Sequence, residues 1–598
     1  MKKIGKSVIG KPSTQSPSDD VPPGNQPTAA PGAVDFDQAR QHFSARHLDH
    51  AASLCRAILS TTPLHAPALH LLGIISAEQG LPAEGLRLVE QALELEQRRA
   101  AFHFTHGQIL MRIGNPVAAA DAFKESAHLD PDNPRLPQHL VLALLAGRRF
   151  QVAENVVGTA LEKWPESAEL LDASGMVLMA QGRHAQACVV LERAREVAPD
   201  FPDTYGNLAI LYEQDNRLDS ALDIVEQGLR RWPEHRTLRF VRARCLRHLG
   251  KYTEAELLLQ ELLSGEPTDK LHADIEYELG WCTDGLDQTA EAYQHFTQAN
   301  LVAEKLPAYN ATQGADYLRM LAALQKQFER GWAASWQRLP FPEKSEDLAF
   351  IIGFPRSGTT LLDTMLGAHP EFRVLEEQAT VQAMLERLAM YEVGYPAGLA
   401  TLTAERQLAL RAAYFRAVRT QPFESGQQRL LDKSPFNIAH VGLIHRIFPE
   451  AKLIFVARHP CDVCLSCFLN NFELNSGTQH FTRIETTVNL YCQLMALWLT
   501  YVETLPLNYA LVRYEALVNR PGKELRQLLE ELGVPWSDSV LRHTTFAMQR
   551  GHIPTPSYAQ VKRPIYVDAC DRWQRYADVM RPFLKELQPY IETFGYAD

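Results

Sequence analysis

The chain has 598 residues, of which 46% are hydrophobic and 22% are charged, and its formal net charge is −11. This length predicts more than one domain, and this composition is that of soluble globular proteins. The negative charge argues against a nucleic acid as the partner of the whole surface, although it is compatible with a local basic pocket. No run of 18 apolar residues is present, so we expect no membrane span.

The cysteines and the N-terminus indicate a reducing compartment. The nine cysteines show no repeated spacing, which argues against a disulfide framework. Cys461, Cys464 and Cys467 fall on one predicted helix face beside an apolar strand, and we interpret them as packed thiols rather than as metal ligands. The first residues, MKKIGKSVIGKP, are basic but lack the apolar run of a secretory signal. We therefore expect a cytoplasmic protein.

Residues 1–34 come first and contain six prolines separated by Ser, Gln, Gly and Thr. Such a segment buries too little apolar surface to offset the entropy of ordering, so we expect a disordered tail. A repeating pattern begins directly after this tail.

A period of 34 residues runs from residue 35 to residue 303. The positions that share this period are Pro63, Pro131, Pro165, Pro199, Pro233 and Pro267 with Gln97 in the gap; Ala51, Ala119, Ala153, Ala187, Ala221 and Ala255 with Gly85; Gly73, Gly107 and Gly175; and Gly80, Gly114, Gly182 and Gly250 with Asn216. Small residues let two antiparallel helices approach closely, and Gly or Asn accepts a positive φ at the turn between them. Proline ends the second helix and starts the next unit.

This helix-turn-helix period resembles the tetratricopeptide repeat. It predicts an α-solenoid of about seven or eight units over residues 35–303, with a last unit, near Gly280 to Asn300, slipped by about three residues as a cap. The resemblance implies a groove that binds a protein or a peptide. A scaffold, or an arm through which two copies form a homodimer, is the alternative.

Residues 304–344 read as a connector with one helix from Tyr317 to Trp336, broken by the prolines that follow it. Residues 345–598 alternate apolar strands with helices, which predicts a mostly parallel sheet covered on both faces. The strands are expected at Leu348 to Gly353, Glu371 to Leu375, Ala451 to Ala457 and Tyr509 to Val512, and a further strand is expected to end in Leu430 to Pro435.

The first of these strands leads into PRSGTT, a short loop followed by a helix. Strand, small-residue loop and helix together form a phosphate cradle, because backbone N–H groups and the positive helix end face the anion. Gly358 lets the backbone come close, Ser357, Thr359 and Thr360 add hydroxyl donors, and Arg356 adds a fixed charge. An ordinary strand-to-helix turn is the alternative for the loop alone.

Further cations and hydroxyls follow the other strands, namely Lys433, Arg458 with Ser466 eight residues later, and Tyr514. Because the carboxyl ends of parallel strands line one crevice, we expect these groups to converge on the loop. A surface lysine is the alternative for Lys433, and an ion pair with Asp462 is the alternative for Arg458.

Residues 345–598 resemble the sulfotransferases. The resemblance lies in an ordered set of motifs, namely PRSGTTLL, AHP, EE, DKSPF, R…S and RYEALV…LGVPW. It is most similar to the tyrosylprotein sulfotransferases and their bacterial tetratricopeptide-linked relatives. The resemblance implies a P-loop-type α/β fold and 3′-phosphoadenylyl sulfate (PAPS) as the sulfate donor. It places the donor on Arg356, Ser357, Gly358, Thr359, Thr360, Arg458, Ser466, Tyr514, Ser557 and Lys562. It makes Glu377 the catalytic base and Lys433 the residue that steadies the leaving oxygen, with no metal required.

Glu376 and the histidines His369, His440 and His445 are alternatives for the base. A Glu-Glu pair is also common as favourable charge at a helix start. The tyrosylprotein enzymes carry a basic residue after the glutamate pair, where this chain has Gln378-Ala379-Thr380. The acceptor therefore stays open between a protein tyrosine, a sugar hydroxyl and a small phenol.

Two other functions are compatible with part of the pattern. A P-loop kinase is disfavoured because the loop lacks the lysine of G-x-x-x-x-G-K-[ST], and because the strand AKLIFVA is followed by Arg458 and not by a Mg²⁺-binding aspartate. A repeat scaffold with an inactive transferase domain is the second alternative.

Overall fold

The computed structural model describes residues 35–263, 270–336, 347–419, 429–550, 565 and 569–596. The predicted tail, residues 1–34, lies outside these ranges. The chain divides into two compact units, Met1–His248 and Leu249–Asp598. This division falls within the repeats, whereas the repeat pattern alone put the domain boundary at residue 303.

The first unit is helical throughout its described residues, and consecutive helices pack against each other as a tetratricopeptide-type solenoid. Its helices are α1 Phe36–Ser44, α2 Leu48–Thr61, α3 Ala66–Glu78, α4 Pro82–Leu95, α5 Ala100–Arg112, α6 Pro116–Leu129, α7 Arg135–Ala146, α8 Phe150–Lys163, α9 Ala168–Ala180, α10 His184–Val197, α11 Pro202–Gln214, α12 Leu218–Arg231 and α13 Arg236–His248. The α-solenoid predicted from the period is confirmed.

The turns keep the predicted period. Positive φ occurs at Arg46, Gly80, Gly114, Arg148, Gly182, Asn216 and Gly250, which are spaced by 34 residues. The next such residue is Asp287, three positions later than the period would place it, which confirms the predicted slip of the last unit. The sequence pattern missed the turns at Arg46 and Arg148, because arginine has no preference for this conformation.

The alanine and glycine positions show why the period needs small residues. Ala51, Ala119 and Ala153 are fully buried. A Cβ added to Gly107 would lie 2.7 Å from the ring of Phe123 on the paired helix. Since real Cβ atoms do not come so close, a larger residue there would push the two helices apart.

The second unit begins with α14 Tyr252–Leu262, α15 Lys270–Gly285, α16 Thr289–Ala303 and α17 Ala311–Glu329. Side chains of α15, α16 and α17 share one hydrophobic core with the strands that follow. Helix α17 starts before the predicted Tyr317, because the Asn310 side chain caps it by accepting from the Gln313 N–H. It ends before Trp336, because Gly331 adopts a φ of +67° and a short 3₁₀ turn follows.

Within the described part of the chain, five parallel strands form a sheet in the order β2-β3-β1-β4-β5. They are β1 Leu348–Gly353, β2 Phe372–Glu376, β3 Arg429–Lys433, β4 Lys452–Ala457 and β5 Tyr509–Arg513. Every residue of the central strand β1 is buried, as its continuous apolar run predicts. The predicted parallel α/β sheet is confirmed.

Helices cover both faces of this sheet and enclose two hydrophobic cores. They are α18 Thr359–Gly367, α19 Thr380–Ala389, α20 Ala404–Arg419, α21 Val441–Ile447, α22 Pro460–Phe468, α23 Ile484–Thr504, α24 Tyr514–Asn519, α25 Pro521–Leu532, α26 His543–Arg550, α27 Ala577–Met580 and α28 Leu584–Thr593. Cys461, Cys464 and Cys467 are buried thiols in α22, and the described residues contain no cluster of side chains arranged to hold a metal ion. None of the described helices combines the length and apolarity needed to cross a bilayer.

Candidate active site

All five strands end at one edge of the sheet, and most of the predicted site residues follow these strand ends. The loop 354–358 follows β1, Glu377 follows β2, Lys433 ends β3, Arg458 follows β4 and Tyr514 follows β5. The parallel topology thus gathers residues that are up to 158 positions apart in the sequence. This is the edge at which parallel α/β sheets bind their ligands.

The loop after β1 is a tight turn whose backbone requires its small residues. Arg356 and Gly358 both have positive φ, +69° and +100°. A Cβ on Gly358 would collide with the ring of Tyr514, so this position needs glycine for two reasons. Thr359 and Thr360 are the first residues of α18. The loop therefore leads directly into a helix N-terminus, as a phosphate cradle requires.

One hydroxyl in this loop is conspicuous. Ser357 is 1% exposed, and its Oγ has no hydrogen-bond partner among the described residues. A buried hydroxyl without a partner costs about 1–3 kcal/mol. An anion held by the loop would accept this hydrogen bond and remove that cost.

Arg356, Arg458 and Ser466 meet beside the loop. Arg356 Nε donates to Ser466 Oγ at 3.1 Å, and Arg458 Nη1 donates to the carbonyl oxygen of Arg356 at 3.0 Å. The Arg458 guanidinium lies 4.8 Å from the centre of the Tyr514 ring. Arg458 is 7% exposed, and its Nε has no partner among the described residues. The structure brings these four predicted residues together.

The alternative partner of Arg458, Asp462, is engaged elsewhere. Its carboxylate accepts the backbone N–H groups of Asp571 and Trp573, both at 2.8 Å. Burial raises the pKa of Asp462 to about 6, although the charge of Arg458 opposes this rise. The guanidinium of Arg458 donates instead to carbonyl oxygens, the second being that of Ala569 at 2.5 Å.

Lys433 is the centre of a second cluster, in which one buried cation faces three carboxylates. Its Nζ lies 2.8 Å from Glu377 Oε1, 3.1 Å from Glu376 Oε1 and 3.5 Å from Asp363 Oδ2. Burial on its own would lower the pKa of Lys433, but the surrounding carboxylates outweigh it and the pKa is raised. Lys433 is therefore charged throughout the neutral range, and it is not the plain surface lysine of the alternative interpretation.

The two glutamates of this cluster differ in access. Glu376 is buried, whereas the Glu377 side chain is 38% exposed. The Glu377 N–H donates to the carbonyl oxygen of Lys433 at 2.7 Å, and its φ is +47°. A non-glycine residue in this region costs on the order of 1–3 kcal/mol and persists only where its surroundings hold it. Glu377 is thus held in a strained backbone with its carboxylate between Lys433 and solvent.

The sequence interpretation missed two carboxylates that support the cluster. Asp363 is fully buried on α18, and the signal available was a charged residue within the apolar run LLDTML. Asp432 precedes Lys433, is fully buried, and accepts from Thr380 Oγ1 at 2.6 Å and from Tyr414 OH at 2.8 Å. Burial raises the pKa of Asp432 to about 6 against the opposing effect of these hydrogen bonds.

Two of the three histidines considered as bases, His369 and His440, have other partners. His369 Nε2 donates to the carbonyl oxygen of Pro535, and its Nδ1 accepts from the N–H of Glu371. His440 Nδ1 lies 3.0 Å from the hydroxyl of Tyr395, and burial lowers its pKa to about 4. Burial also lowers the pKa of His445. Ser557 and Lys562, the remaining predicted donor contacts, lie outside the described residues.

Comparisons with known proteins cover both parts of the chain. Residues 349–538 match the Sulfotransferase family, and residues 70–134, 166–234 and 207–270 match the tetratricopeptide repeat. A crystal structure of a tetratricopeptide repeat protein from Parabacteroides merdae aligns with 42% of this chain and 97% of its own, at 16% identity and a TM-score of 0.38.

Two relatives are similar to larger parts of the chain. An uncharacterised protein of Aquifex aeolicus is 25% identical over an alignment of 545 positions that covers 81% of this chain and 69% of the relative. Protein-tyrosine sulfotransferase 1 of Rattus norvegicus is 30% identical over an alignment of 277 positions that covers 42% of this chain and 70% of the rat protein. With the strand-end site and the repeats, these matches show that the chain belongs to the sulfotransferase family and carries tetratricopeptide repeats ahead of its sulfotransferase region.

Proposed function

We propose that this chain transfers a sulfuryl group from PAPS to an acceptor hydroxyl. The observation that carries the proposal is the pair of buried hydrogen-bond donors, Ser357 Oγ and Arg458 Nε, that lack partners among the described residues at the same sheet edge. PAPS carries phosphate groups at two separated positions, and two such groups would supply acceptors to both donors. The residues present therefore fit this donor substrate.

The residue roles follow from the two halves of the site. The loop from Arg356 to Thr360 would hold the 5′-phosphosulfate end, where backbone N–H groups and the N-terminus of α18 favour negative charge. Arg458 and Ser466 would hold the 3′-phosphate, which distinguishes PAPS from ordinary nucleotides. Tyr514, already stacked against the Arg458 guanidinium, would contact the nucleotide.

The transfer itself is an in-line displacement at sulfur. The acceptor oxygen forms a bond to sulfur while the bond between sulfur and the 5′-phosphate oxygen breaks, so 3′,5′-ADP leaves with the electron pair. Glu377 takes the proton of the acceptor hydroxyl, a role worth about 10²–10⁴-fold in rate. Lys433 stabilises the negative charge that develops on the leaving oxygen.

The cluster around Lys433 is compatible with these two roles of Glu377 and Lys433. A carboxylate has two oxygens, so Glu377 can accept a proton on one while Lys433 holds the other. Asp363 and Glu376 keep Lys433 charged and in place while Glu377 gains its proton. The half-exposed position of Glu377 gives an acceptor access that the buried Glu376 lacks.

The repeats supply the second part of the proposal. Tetratricopeptide repeats commonly bind proteins or peptides, and we assign residues 35–303 to binding an acceptor or a partner of this kind. Deleting these residues would test only their joint role, because α15, α16 and α17 share a core with the catalytic region. Charge-reversal of exposed residues on α1 to α13 is the better test, with KM for the acceptor as the readout.

The donor assignment is tested by thermal shift of the full chain with 3′,5′-ADP, 5′-AMP and ATP with Mg²⁺. Selective stabilisation by 3′,5′-ADP that is lost in Arg458→Ala supports the proposal. Arg581→Ala is the matched control, because its ion pair with Asp578 is exposed. Preference for ATP with Mg²⁺ would favour a kinase, and no nucleotide binding would favour an inactive scaffold. A labelled donor incubated with cell extract would then identify the acceptor.

A further inference from the structure

Residues 569–576, which we call the strap, contact both the last repeat and the proposed donor site. The strap begins with a short turn and continues as the 3₁₀ helix Arg572–Tyr576. The strap, the last repeat and the site all belong to one compact unit, so their contacts describe one body.

One side of the strap holds the arginine that would bind the 3′-phosphate. The carbonyl oxygen of Ala569 accepts from Arg458 Nη2. Two anchors follow, in which the N–H groups of Asp571 and Trp573 donate to Asp462 on α22. The Trp573 ring also stacks on the imidazole of the residue after Arg458, with ring centroids 5.3 Å apart and an interplanar angle of 5°. The strap therefore fixes the start of α22 and the direction of Arg458.

The other side of the strap holds one carboxylate of the repeats. Asp284 accepts from Arg572 Nη2 at 2.6 Å and from the Tyr576 hydroxyl at 2.6 Å, and it pairs with Arg575 at 3.2 Å. The Asp284 side chain is 10% exposed. The Arg572 guanidinium also lies 4.7 Å from the centre of the Trp281 ring on the same repeat helix. Three side chains of the strap thus converge on one buried anion.

The slip in the repeat register creates this contact. Helix α15 has 16 residues, three more than α11 or α13, and its turn falls at Asp287. In the regular period the turn would fall at position 284. The three extra residues place Asp284 in the last turn of a longer helix, where its side chain reaches the strap.

We propose that Asp284 is a positioning residue for recognition of the 3′-phosphate, acting on Arg458 through the strap. This inference rests on the proposed function. If a neutral residue replaces this buried carboxylate, the two guanidinium groups lose the counter-charge that holds them in place. Once the strap is released, Arg458 loses one of the two carbonyl oxygens that orient it, that of Ala569, and keeps that of Arg356. Side chains that bind ligand tightly need such support from a second layer of contacts.

The test uses the full chain and calorimetric titration with 3′,5′-ADP and 5′-AMP. Asp284→Asn is expected to weaken binding of 3′,5′-ADP about tenfold, a common size for coupling between two sites. Binding of 5′-AMP, which lacks the 3′-phosphate, is expected to stay unchanged. Asp284→Glu keeps the charge and is expected to restore part of the loss. Asp287→Asn is the control, since Asp287 also contacts Arg575 but is 91% exposed.

A double-mutant cycle with Arg458→Ala shows whether the effect passes through Arg458. Asp284→Asn in the Arg458→Ala background should cause no further loss of 3′,5′-ADP affinity. An equal loss for both nucleotides, a further loss in that background, or no loss at all would overturn the inference. If Asp284→Asn does not fold, Tyr576→Phe removes a single hydrogen bond to Asp284 and should reduce the 3′,5′-ADP affinity about threefold with the same selectivity.

The wild-type titration separates this inference from the proposed function. If wild type does not prefer 3′,5′-ADP over 5′-AMP, the proposed function is wrong and the inference falls with it. If wild type has that preference and Asp284→Asn retains it in full, only the inference is wrong.

Discussion

Two buried cations flank the central strand of the sheet, and they are satisfied in opposite ways. Lys433, at the end of β3, faces three carboxylates. Its positive charge therefore has counter-charges within the protein. Arg458, after β4, donates to two carbonyl oxygens and has a buried Nε without a partner among the described residues. The partners of Lys433 are thus carboxylates, whereas the partners of the Arg458 Nη atoms are neutral carbonyl oxygens. In the proposed function, this difference would separate Lys433, which acts in the transfer step, from Arg458, which binds the donor.

The largest expected effect comes from Lys433→Met, which keeps most of the side-chain volume and removes the charge. Asp363 and Glu376 would stay buried without their cation, so we expect a loss of about 3–5 kcal/mol in the free energy of unfolding. Sulfuryl transfer should also be lost. Chemical denaturation followed by circular dichroism measures the first effect, and Lys523→Ala, at an exposed position, is the control. Unchanged stability would mean that the carboxylates do not depend on Lys433.

Glu377→Gln is expected to reduce kcat by about 10²–10⁴-fold because an amide cannot take the acceptor proton. Stability and 3′,5′-ADP binding should be retained, since Asp363 and Glu376 still neutralise Lys433. Turnover with labelled PAPS, together with nucleotide titration, measures both properties. Glu371→Gln, which changes an exposed glutamate before β2, is the control. Near-normal turnover in Glu377→Gln would move the base to Glu376.

Asp432→Asn tests the buried carboxyl next to Lys433 through the pH dependence of stability. The pKa of Asp432 is raised from 3.8 to about 6, so the folded protein binds a proton there that the unfolded chain has already released. The contribution of Asp432 to stability is therefore full below pH 3.8 and is lost as pH rises to about 6. Asparagine does not titrate and still accepts hydrogen bonds from Thr380 and Tyr414.

Relative to wild type, Asp432→Asn should thus become more stable by about 2–3 kcal/mol between pH 4 and pH 6 and show no further relative change above pH 6. Urea denaturation at intervals of one pH unit measures this difference. A difference that stays constant over that range would show that Asp432 does not titrate as described.

The sequence alone was sufficient to predict the repeats and the residues that follow the strands of the sheet. The period of 34 residues predicted the solenoid and even the slip at its end, because each unit carries the same small residues at its helix contacts. The parallel sheet followed from its apolar strands, and its topology then required Arg356, Lys433 and Arg458 to meet at one edge. Those predictions needed only local patterns and one topological rule.

The features that could not be predicted depend on partners far apart in the sequence. Asp363 lies 70 positions before Lys433, and although its place in the apolar run LLDTML marks it as unusual, nothing local identifies Lys433 as its partner. The strap is held by Asp284, 288 positions before Arg572, and no local pattern indicates that contact. Arg46 and Arg148 adopt turn conformations that their residue type does not favour, because the stacked helices on both sides determine them.

We propose that Arg458 binds the 3′-phosphate of the donor. Calorimetric titration of wild type and Arg458→Ala with 3′,5′-ADP and 5′-AMP tests this proposal most directly. We predict that wild type binds 3′,5′-ADP more tightly than 5′-AMP, and that Arg458→Ala loses about 10- to 100-fold in affinity for 3′,5′-ADP alone, as expected for removal of charge-assisted hydrogen bonds. Equal affinities of wild type for the two nucleotides, or an unchanged preference in Arg458→Ala, would contradict the account.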